Sequence, residues 1–151
     1  MNLLHGDITK LEVDAKDSTE AIDLLGRSLM ENGYIKQGYV DSVLKREQTF
    51  PTGLVLKNVG IAIPHASPEG NVLKNGIAIA RLNNPVQFNW MENPDEKIDV
   101  NMVFMLALAD SSEHLDVLKK LFVAFQNEEL VESLKNSGSD KFLGLLNEKL
   151  A

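Results

Sequence analysis

The segment that most constrains the fold of this chain is the apolar run at residues 102–109, MVFMLALA, between Asn101 and Asp110. It falls far short of the ~20 residues that a membrane-spanning helix requires. A short run without polar alternation is typical of a strand that is buried on both faces, because a half-solvated strand alternates between apolar and polar residues. The run therefore predicts a sheet that is covered by helices on both sides.

Segments with the period of an amphipathic helix lie before and after this strand. Asp17 and Gly33 are typical start and stop residues of a first helix, and Asp110 is a typical N-cap of a later one. In that later helix, the apolar stripe predicts five buried residues: Leu115, Leu118, Leu121, Phe122 and Phe125. The predicted helices are residues 17–32, 38–48, 111–126, 128–136 and 139–149, and the predicted strands are residues 60–64, 76–82 and 99–109.

The chain has the organisation of one domain. No linker rich in Pro, Gly or Ser divides it, and 151 residues is an ordinary length for a single domain. We therefore expect residues 1–151 to form one α/β domain of three layers, with a mixed, mostly parallel sheet and helices on both faces.

Composition excludes several classes of function. The net charge of −7 argues against nucleic acid and against an anionic membrane surface as partners, since both require a basic face. The chain has no cysteine, so disulfides, thiolate metal sites and a cysteine nucleophile are excluded. Its first residues carry scattered acids and no apolar core of signal-peptide length, so we expect a cytoplasmic protein without membrane insertion.

Common motifs for metals and cofactors are also missing from the sequence. No two of the three histidines have the spacing H-x-x-x-H, so we expect no metal site. There is no G-x-S-x-G elbow, no P-loop and no G-x-G-x-x-G, which argues against the common hydrolase, nucleoside triphosphatase and dinucleotide-binding classes. We expect no cofactor.

His65 has the most specific chemical setting in the chain. It follows Pro64 in the segment GIAIPH at residues 60–65. Proline cannot extend a sheet ladder, so the strand should end there and leave His65 at the end of the strand, where ligands of α/β proteins usually bind. A histidine with the ordinary pKa of about 6.5 is mostly neutral at pH 7, and its unprotonated nitrogen is a usable nucleophile. A surface histidine in a turn, without a chemical role, would give the same sequence pattern.

Two segments carry a resemblance to a known family. REQTFPTGL at residues 46–54, followed by GIAIPH at residues 60–65, resembles the enzyme IIA components of the phosphoenolpyruvate-dependent sugar phosphotransferase system, of the fructose/mannitol type. The variant FPTG at residues 50–53 and VQF at residues 86–88 resemble the galactitol-like branch most closely. The resemblance extends from the first predicted helix to about Leu134.

The resemblance implies a phosphohistidine carrier for sugar or polyol uptake. His65 would accept phosphate from the phosphocarrier protein HPr and pass it to a cysteine of the cognate IIB component, which serves the membrane permease IIC. The absence of cysteine from this chain fits a separate IIA component that performs only the histidine stage. Because the membrane component selects the substrate, the transported sugar stays open.

The resemblance also implies two residues that contact the phosphate. Arg46 matches the arginine that precedes the PTG motif, although a cation at a helix end also complements the helix dipole. His114 resembles a second histidine of the family, although a solvated histidine at a helix start would fit as well. Ser67 and Glu69 follow His65 closely enough to reach it, and Glu69 is a candidate to orient the imidazole.

A relay must not hold its phosphate too tightly. A charge-assisted hydrogen bond is worth ~1.5–3 kcal/mol, so several of them would trap the phosphoryl group. We therefore expect a shallow, partly exposed site with few cationic contacts.

Two alternatives to the carrier remain at this point. The first is a regulatory IIA-like module, in which phosphorylation of His65 controls the binding of other proteins. The second is a plain binding domain in which His65 is inert. The same motif fits all three hypotheses, and a phosphorylation assay separates the last from the others.

Overall fold

Five strands form one mixed sheet. In the computed structural model, which describes residues 2–151, they are β1 (Thr9–Val13), β2 (Gly53–Val55), β3 (Gly60–Ala62), β4 (Gly76–Asn89) and β5 (Lys97–Ala107). Their order across the sheet is β1-β4-β5-β3-β2. β1 is parallel to β4 and β3 is parallel to β5, whereas β4 with β5 and β2 with β3 are antiparallel.

Helices cover both faces of this sheet. They are α1 (Ser18–Glu31), α2 (Gln37–Thr49), α3 (Ser111–Phe125), α4 (Glu128–Asn136) and α5 (Ser139–Leu150). Residues of α1 and α2 pack in one apolar cluster, and residues of α3, α4 and α5 pack in a second one. Neighbours on β5 belong to different clusters: Val103 faces α1 and α2, and Phe104 faces the other three helices. Both are fully buried, which confirms the predicted α/β class with helices on both faces.

The local signals for the helices were accurate. Each of the five predicted helices begins and ends within one residue of an observed one. Asp17 caps α1 by accepting the backbone N–H of Glu20 at 2.9 Å, and Gly33 follows the helix with a φ of 80°.

Across the described residues 2–151, no helix is both long and apolar enough to cross a membrane.

The strands were predicted less completely. β1 and β2 were not predicted, because both are short strands at the edges of the sheet. β4 continues beyond the predicted end at residue 82 and contains Pro85. Proline is tolerated there because the pairing with β5 shifts register between Arg81 and Val86.

The prediction that Leu115 is buried was wrong. Leu115 is 58% exposed, whereas Val117 and Leu121 pack into the core. The buried stripe of α3 instead begins at His114, one residue earlier, and a shift of one residue rotates a side chain by about 100° around the helix. The consequence is an apolar side chain on the surface beside a buried histidine.

Candidate functional site

His65 lies just beyond the carboxyl end of β3, and the local sequence holds it there. β3 lies next to the central strand β5, which pairs with it as far as Ala62. Pro64 then ends the ladder, and its carbonyl oxygen accepts the N–H of Leu106 at 3.0 Å. His65 is half-buried, so the residue is partly accessible from the surface.

A single hydrogen bond defines the protonation of the His65 ring. Nδ1 lies 2.8 Å from the carbonyl oxygen of Ile63. A carbonyl oxygen can only accept, so Nδ1 carries the hydrogen and Nε2 keeps its lone pair. Burial lowers the pKa of His65, and the charge of Arg46 lowers it further, while the bond to Ile63 opposes both effects. The ring is therefore neutral at pH 7 and presents Nε2 as a nucleophile.

Arg46 provides the nearby positive charge. It lies in the last turn of α2, where its guanidinium carbon is 5.2 Å from the centroid of the Phe50 ring. Among the described residues, Arg46 forms no salt bridge with a carboxylate. Its charge lowers the pKa of both His65 and His114, so its field reaches both rings. A guanidinium held by a ring and left without a carboxylate is available to an anion.

The ring of His114 lies beside the ring of His65. The centroids of the two rings are 5.7 Å apart, and His114 is only 7% exposed. It lies in the first turn of α3, which Asp110 caps by accepting the N–H of Ser112 at 2.9 Å. Nε2 of His114 is buried and has no hydrogen-bond partner among the residues that the structure describes. The alternative of a solvated histidine at a helix start does not fit this burial.

The environment of His114 predicts a dependence of stability on pH. Burial, together with the charges of His65 and Arg46, lowers the pKa of His114 to about 4, although Asp110 opposes the shift. The unfolded chain binds this proton near pH 6.5 and the folded chain does not, so acid favours unfolding. We expect this histidine to remove up to roughly 3 kcal/mol of unfolding free energy as the pH falls from 6.5 to 4.

Urea denaturation of the parent and of His114→Gln at several pH values measures this effect. Carboxylates contribute to both curves, so the difference in slope between the two proteins isolates His114. Parallel curves between pH 6.5 and pH 4 would contradict the lowered pKa.

A second polar cluster lies behind His65, around Thr52. Glu47 accepts the backbone N–H of Thr52 at 2.8 Å and its hydroxyl at 3.0 Å. The same hydroxyl oxygen accepts the N–H of Ile63 at 3.0 Å. Burial raises the pKa of Glu47, while the hydrogen bonds from Thr52 and the charge of Arg46 oppose the shift. A carboxylate at a helix end is usually solvated, so nothing in the sequence indicated that Glu47 is held by Thr52.

Tyr39 was also missed, since a tyrosine within an amphipathic helix gives no distinctive signal. It is fully buried in α2. Its hydroxyl contacts the carbonyl oxygen of Leu106 at 2.5 Å and accepts the N–H of Ala66 at 3.2 Å. Burial raises the pKa of Tyr39 to about 12, against smaller opposing effects of Ala66 and Arg46. The tyrosine thus ties the residue after His65 to the end of β5.

A shallow hollow of about 350 Å³ opens beside His65. Arg46 is the only basic side chain among the described residues that line it. The other lining residues are mostly apolar: Thr49, Phe50, Pro51, Thr52, Ile63, Met91, Pro94, Leu118 and Phe122. Two of them are exposed, Phe50 at 62% and Met91 at 38%. The site is therefore open and has a single cation in its wall.

The remaining candidates of the sequence analysis play no visible part in this geometry. Glu69, which was a candidate to orient the imidazole, is exposed at a φ of 45°, and Nδ1 of the ring is instead held by the Ile63 carbonyl. Ser67 is exposed in the same loop. Within residues 2–151, no group of three or more His, Asp and Glu side chains is arranged to hold a metal ion.

Comparison with known proteins identifies the family. The family profile described as "Phosphoenolpyruvate-dependent sugar phosphotransferase system, EIIA 2" matches residues 2–149. The chain is 33% identical to the mannitol-specific phosphotransferase enzyme IIA component of Halalkalibacterium halodurans, over 97% of each protein. Two solved structures are similar along nearly their full length.

The first of these structures is the complex of enzyme IIAMtl with phosphorylated enzyme IIBMtl from Escherichia coli, with a TM-score of 0.77 and 29% identity over 97% of this chain and 99% of that one. The second is the nitrogen regulatory protein IIA-Ntr from Neisseria meningitidis, with a TM-score of 0.79 and 28% identity over 95% of this chain and 96% of that one. Together with the family profile, these similarities lead to one conclusion: the chain belongs to the EIIA 2 family of the phosphoenolpyruvate-dependent sugar phosphotransferase system.

Proposed function

We propose that residues 1–151 form one IIA phosphocarrier domain of a polyol phosphotransferase system, with His65 as the residue that carries the phosphate. The observation that carries this proposal is the bond from Nδ1 of His65 to the Ile63 carbonyl, because it leaves Nε2 as the unprotonated nitrogen of a residue that lines the hollow. HPr in the cytoplasm is the proposed donor. The proposed acceptor is the cysteine of a IIB component, which in turn serves a IIC permease.

The transfer balances without any cofactor. The lone pair of Nε2 attacks phosphorus while the bond between phosphorus and HPr breaks, and that electron pair returns to HPr. The ring keeps its hydrogen on Nδ1, so positive charge develops on the imidazole as the new N–P bond forms. The carbonyl oxygen of Ile63, 2.8 Å from Nδ1, stabilises that charge. When the thiolate of IIB attacks phosphorus, the N–P bond breaks and its electron pair returns to Nε2.

Arg46 and His114 are the proposed contacts of the phosphoryl group. Arg46 supplies one positive charge from a side chain without a carboxylate partner. His114 lies at the start of α3, where the helix dipole favours an anion, and its buried Nε2 has no partner among the described residues. One cation and one neutral ring hold the phosphate loosely enough to release it to IIB.

For the transported substrate, we propose a polyol of the mannitol class. The support is the similarity to mannitol-specific IIA components described above. The galactitol-like assignment that FPTG at residues 50–53 and VQF at residues 86–88 suggested has no support among those relatives.

A two-stage chase experiment tests the carrier function. The chain is incubated with phosphoenolpyruvate, enzyme I and HPr, separated from them, and mixed with a mannitol-type IIB component. We expect one acid-labile phosphoryl group on the chain, which then moves to the IIB cysteine. A folded chain that takes up no phosphate would contradict the proposal.

A regulatory IIA-like module is the second candidate function, and one observation favours it. The similarity to the nitrogen regulatory protein of Neisseria meningitidis is as extensive as the similarity to the mannitol component from Escherichia coli. In the chase experiment, a regulatory module accepts phosphate from HPr and fails to pass it to IIB. The second stage therefore separates the two functions.

Arg46→Gln should slow phosphate acceptance about tenfold to 150-fold, which is the value of one charge-assisted hydrogen bond. We expect the unfolding free energy to change by less than about 1 kcal/mol, since the contact of Arg46 with the exposed Phe50 ring contributes little. Rapid-quench kinetics and urea denaturation measure the two quantities. Equal transfer rates in variant and parent would remove Arg46 from the site.

A further inference from the structure

We propose that Glu47 is a positioning residue for His65. Acting through Thr52, it fixes the main chain at Ile63, and thereby selects the ring tautomer in which Nε2 of His65 is the nucleophile. The hydrogen bonds of Glu47 go to Thr52 and not to the imidazole, so its role is indirect. The inference deepens the proposed function, although its first test does not depend on phosphate.

The directions of the hydrogen bonds support this role. The N–H of Ile63 can only donate, so the hydroxyl oxygen of Thr52 accepts it at 3.0 Å. The hydrogen of that hydroxyl then points to Glu47, where the nearer carboxylate oxygen lies at 3.0 Å. The other carboxylate oxygen accepts the N–H of Thr52 at 2.8 Å. A carboxylate is the group that satisfies both donors of Thr52 at once.

The place of Ile63 explains why these bonds matter for the ring. β3 ends at Ala62, so Ile63 lies beyond the ladder that pairs β3 with β2. The hydroxyl of Thr52 replaces the missing main-chain partner of its N–H. The carbonyl of the same residue then meets Nδ1 of His65 at 2.8 Å. A shift of Ile63 would therefore move the acceptor that sets the tautomer.

Burial increases the effect of losing either partner of the hydrogen bond between Thr52 and Ile63. Thr52 is 2% exposed and Ile63 is fully buried, so water cannot replace a lost partner without a local rearrangement. Without Thr52 Oγ1, the buried N–H of Ile63 is unsatisfied. We then expect the main chain at Ile63 to shift, while the hydrogen bonds of Pro64 and Ala66 stay in place.

Nitrogen NMR of the His65 ring at neutral pH tests the proposal on unphosphorylated protein. We expect the parent to show the neutral form that is protonated at Nδ1, and Glu47→Ala and Thr52→Val to show a mixture of both neutral tautomers. Thr52→Ser keeps the hydroxyl and should restore the spectrum of the parent. If Glu47→Ala or Thr52→Val does not fold, Glu47→Gln takes its place, because it keeps the size and one acceptor; it should also show a mixture.

Phosphate acceptance from HPr provides the second readout. We expect Thr52→Val and Glu47→Ala to slow it about tenfold to 100-fold, the usual cost of misplacing a reacting group. If the parent itself accepts no phosphate, the proposed function fails while the tautomer test still stands. The positioning role would be overturned if the variants accept phosphate more slowly but keep the His65 tautomer of the parent. It would also be overturned if every folded variant shows the tautomer of the parent.

Thr9→Val is the matched control. It also removes a buried threonine hydroxyl, which donates to the carbonyl oxygen of His5 at 2.8 Å. Thr9 lies on β1, at the opposite edge of the sheet from β2. We expect its His65 tautomer and its rate of acceptance to match the parent. A tautomer mixture in Thr9→Val would mean that any loss of stability disturbs the ring, and would overturn the proposal.

Discussion

Replacing His65 with glutamine should abolish phosphate acceptance while the protein stays folded. Glutamine has no nucleophilic ring nitrogen, so no N–P bond can form at residue 65. The stability should fall by only about 1 kcal/mol, because the half-buried ring makes one hydrogen bond, to Ile63. Intact mass after incubation with phosphoenolpyruvate, enzyme I and HPr measures acceptance, and circular dichroism measures folding.

His114→Gln is the control for this experiment. His114 also carries a ring nitrogen, yet its Nε2 is buried, so it cannot meet a donor protein directly. We expect His114→Gln to accept one phosphoryl group, at a reduced rate. Phosphate on the His65→Gln variant would move the acceptor elsewhere, and an unfolded His65→Gln would show that the residue has a structural role that its contacts do not suggest.

Gly60→Ala should destabilise the fold more than any other single change considered above. A Cβ at residue 60 would lie 1.8 Å from the carbonyl oxygen of Asp99 and 3.2 Å from Cα of Val100. These are main-chain atoms of the central strand β5, which cannot rotate away as a side chain can. We expect a loss of about 3 kcal/mol or more of unfolding free energy, measured by urea denaturation.

Gly144→Ala is the matched glycine control. A Cβ there meets nothing within 4 Å, and the residue lies inside α5. Alanine has the higher helix propensity, so we expect a gain of about 0.5–1 kcal/mol. If Gly60→Ala were as stable as the parent, β3 would have to lie farther from β5 than the structure has it.

Much of the fold was predictable because its local signals are strong. Helix caps such as Asp17 and Asp110 act within a few residues, and the apolar run of β5 is typical of a strand that is buried on both faces. The short edge strands β1 and β2 carry no comparable signal, since they become strands through their neighbours. Leu115 was misplaced because an apolar residue beside a helical stripe fits either face until the helix is docked.

The candidate site, like the fold, was predictable only in part. His65 was found from its place after Pro64 and from a motif, and the structure adds the Ile63 carbonyl that defines its tautomer. The contact of the Tyr39 hydroxyl with the end of β5 gave no sequence signal. His114 was a candidate only through the family resemblance, and the structure adds that its ring lies beside that of His65. Such contacts depend on tertiary packing, which a pattern within one segment does not record.

The two partners of His65 come from opposite layers of the molecule. Arg46 belongs to α2, whose core residues pack on one face of the sheet, and His114 belongs to α3, which packs on the other. A partly folded chain in which only one layer has docked therefore lacks half of the site. Phosphate acceptance should consequently reach its full rate during refolding only in the last cooperative step, when both layers are in place. Partly folded chains would then accept phosphate from the donor more slowly than the native protein.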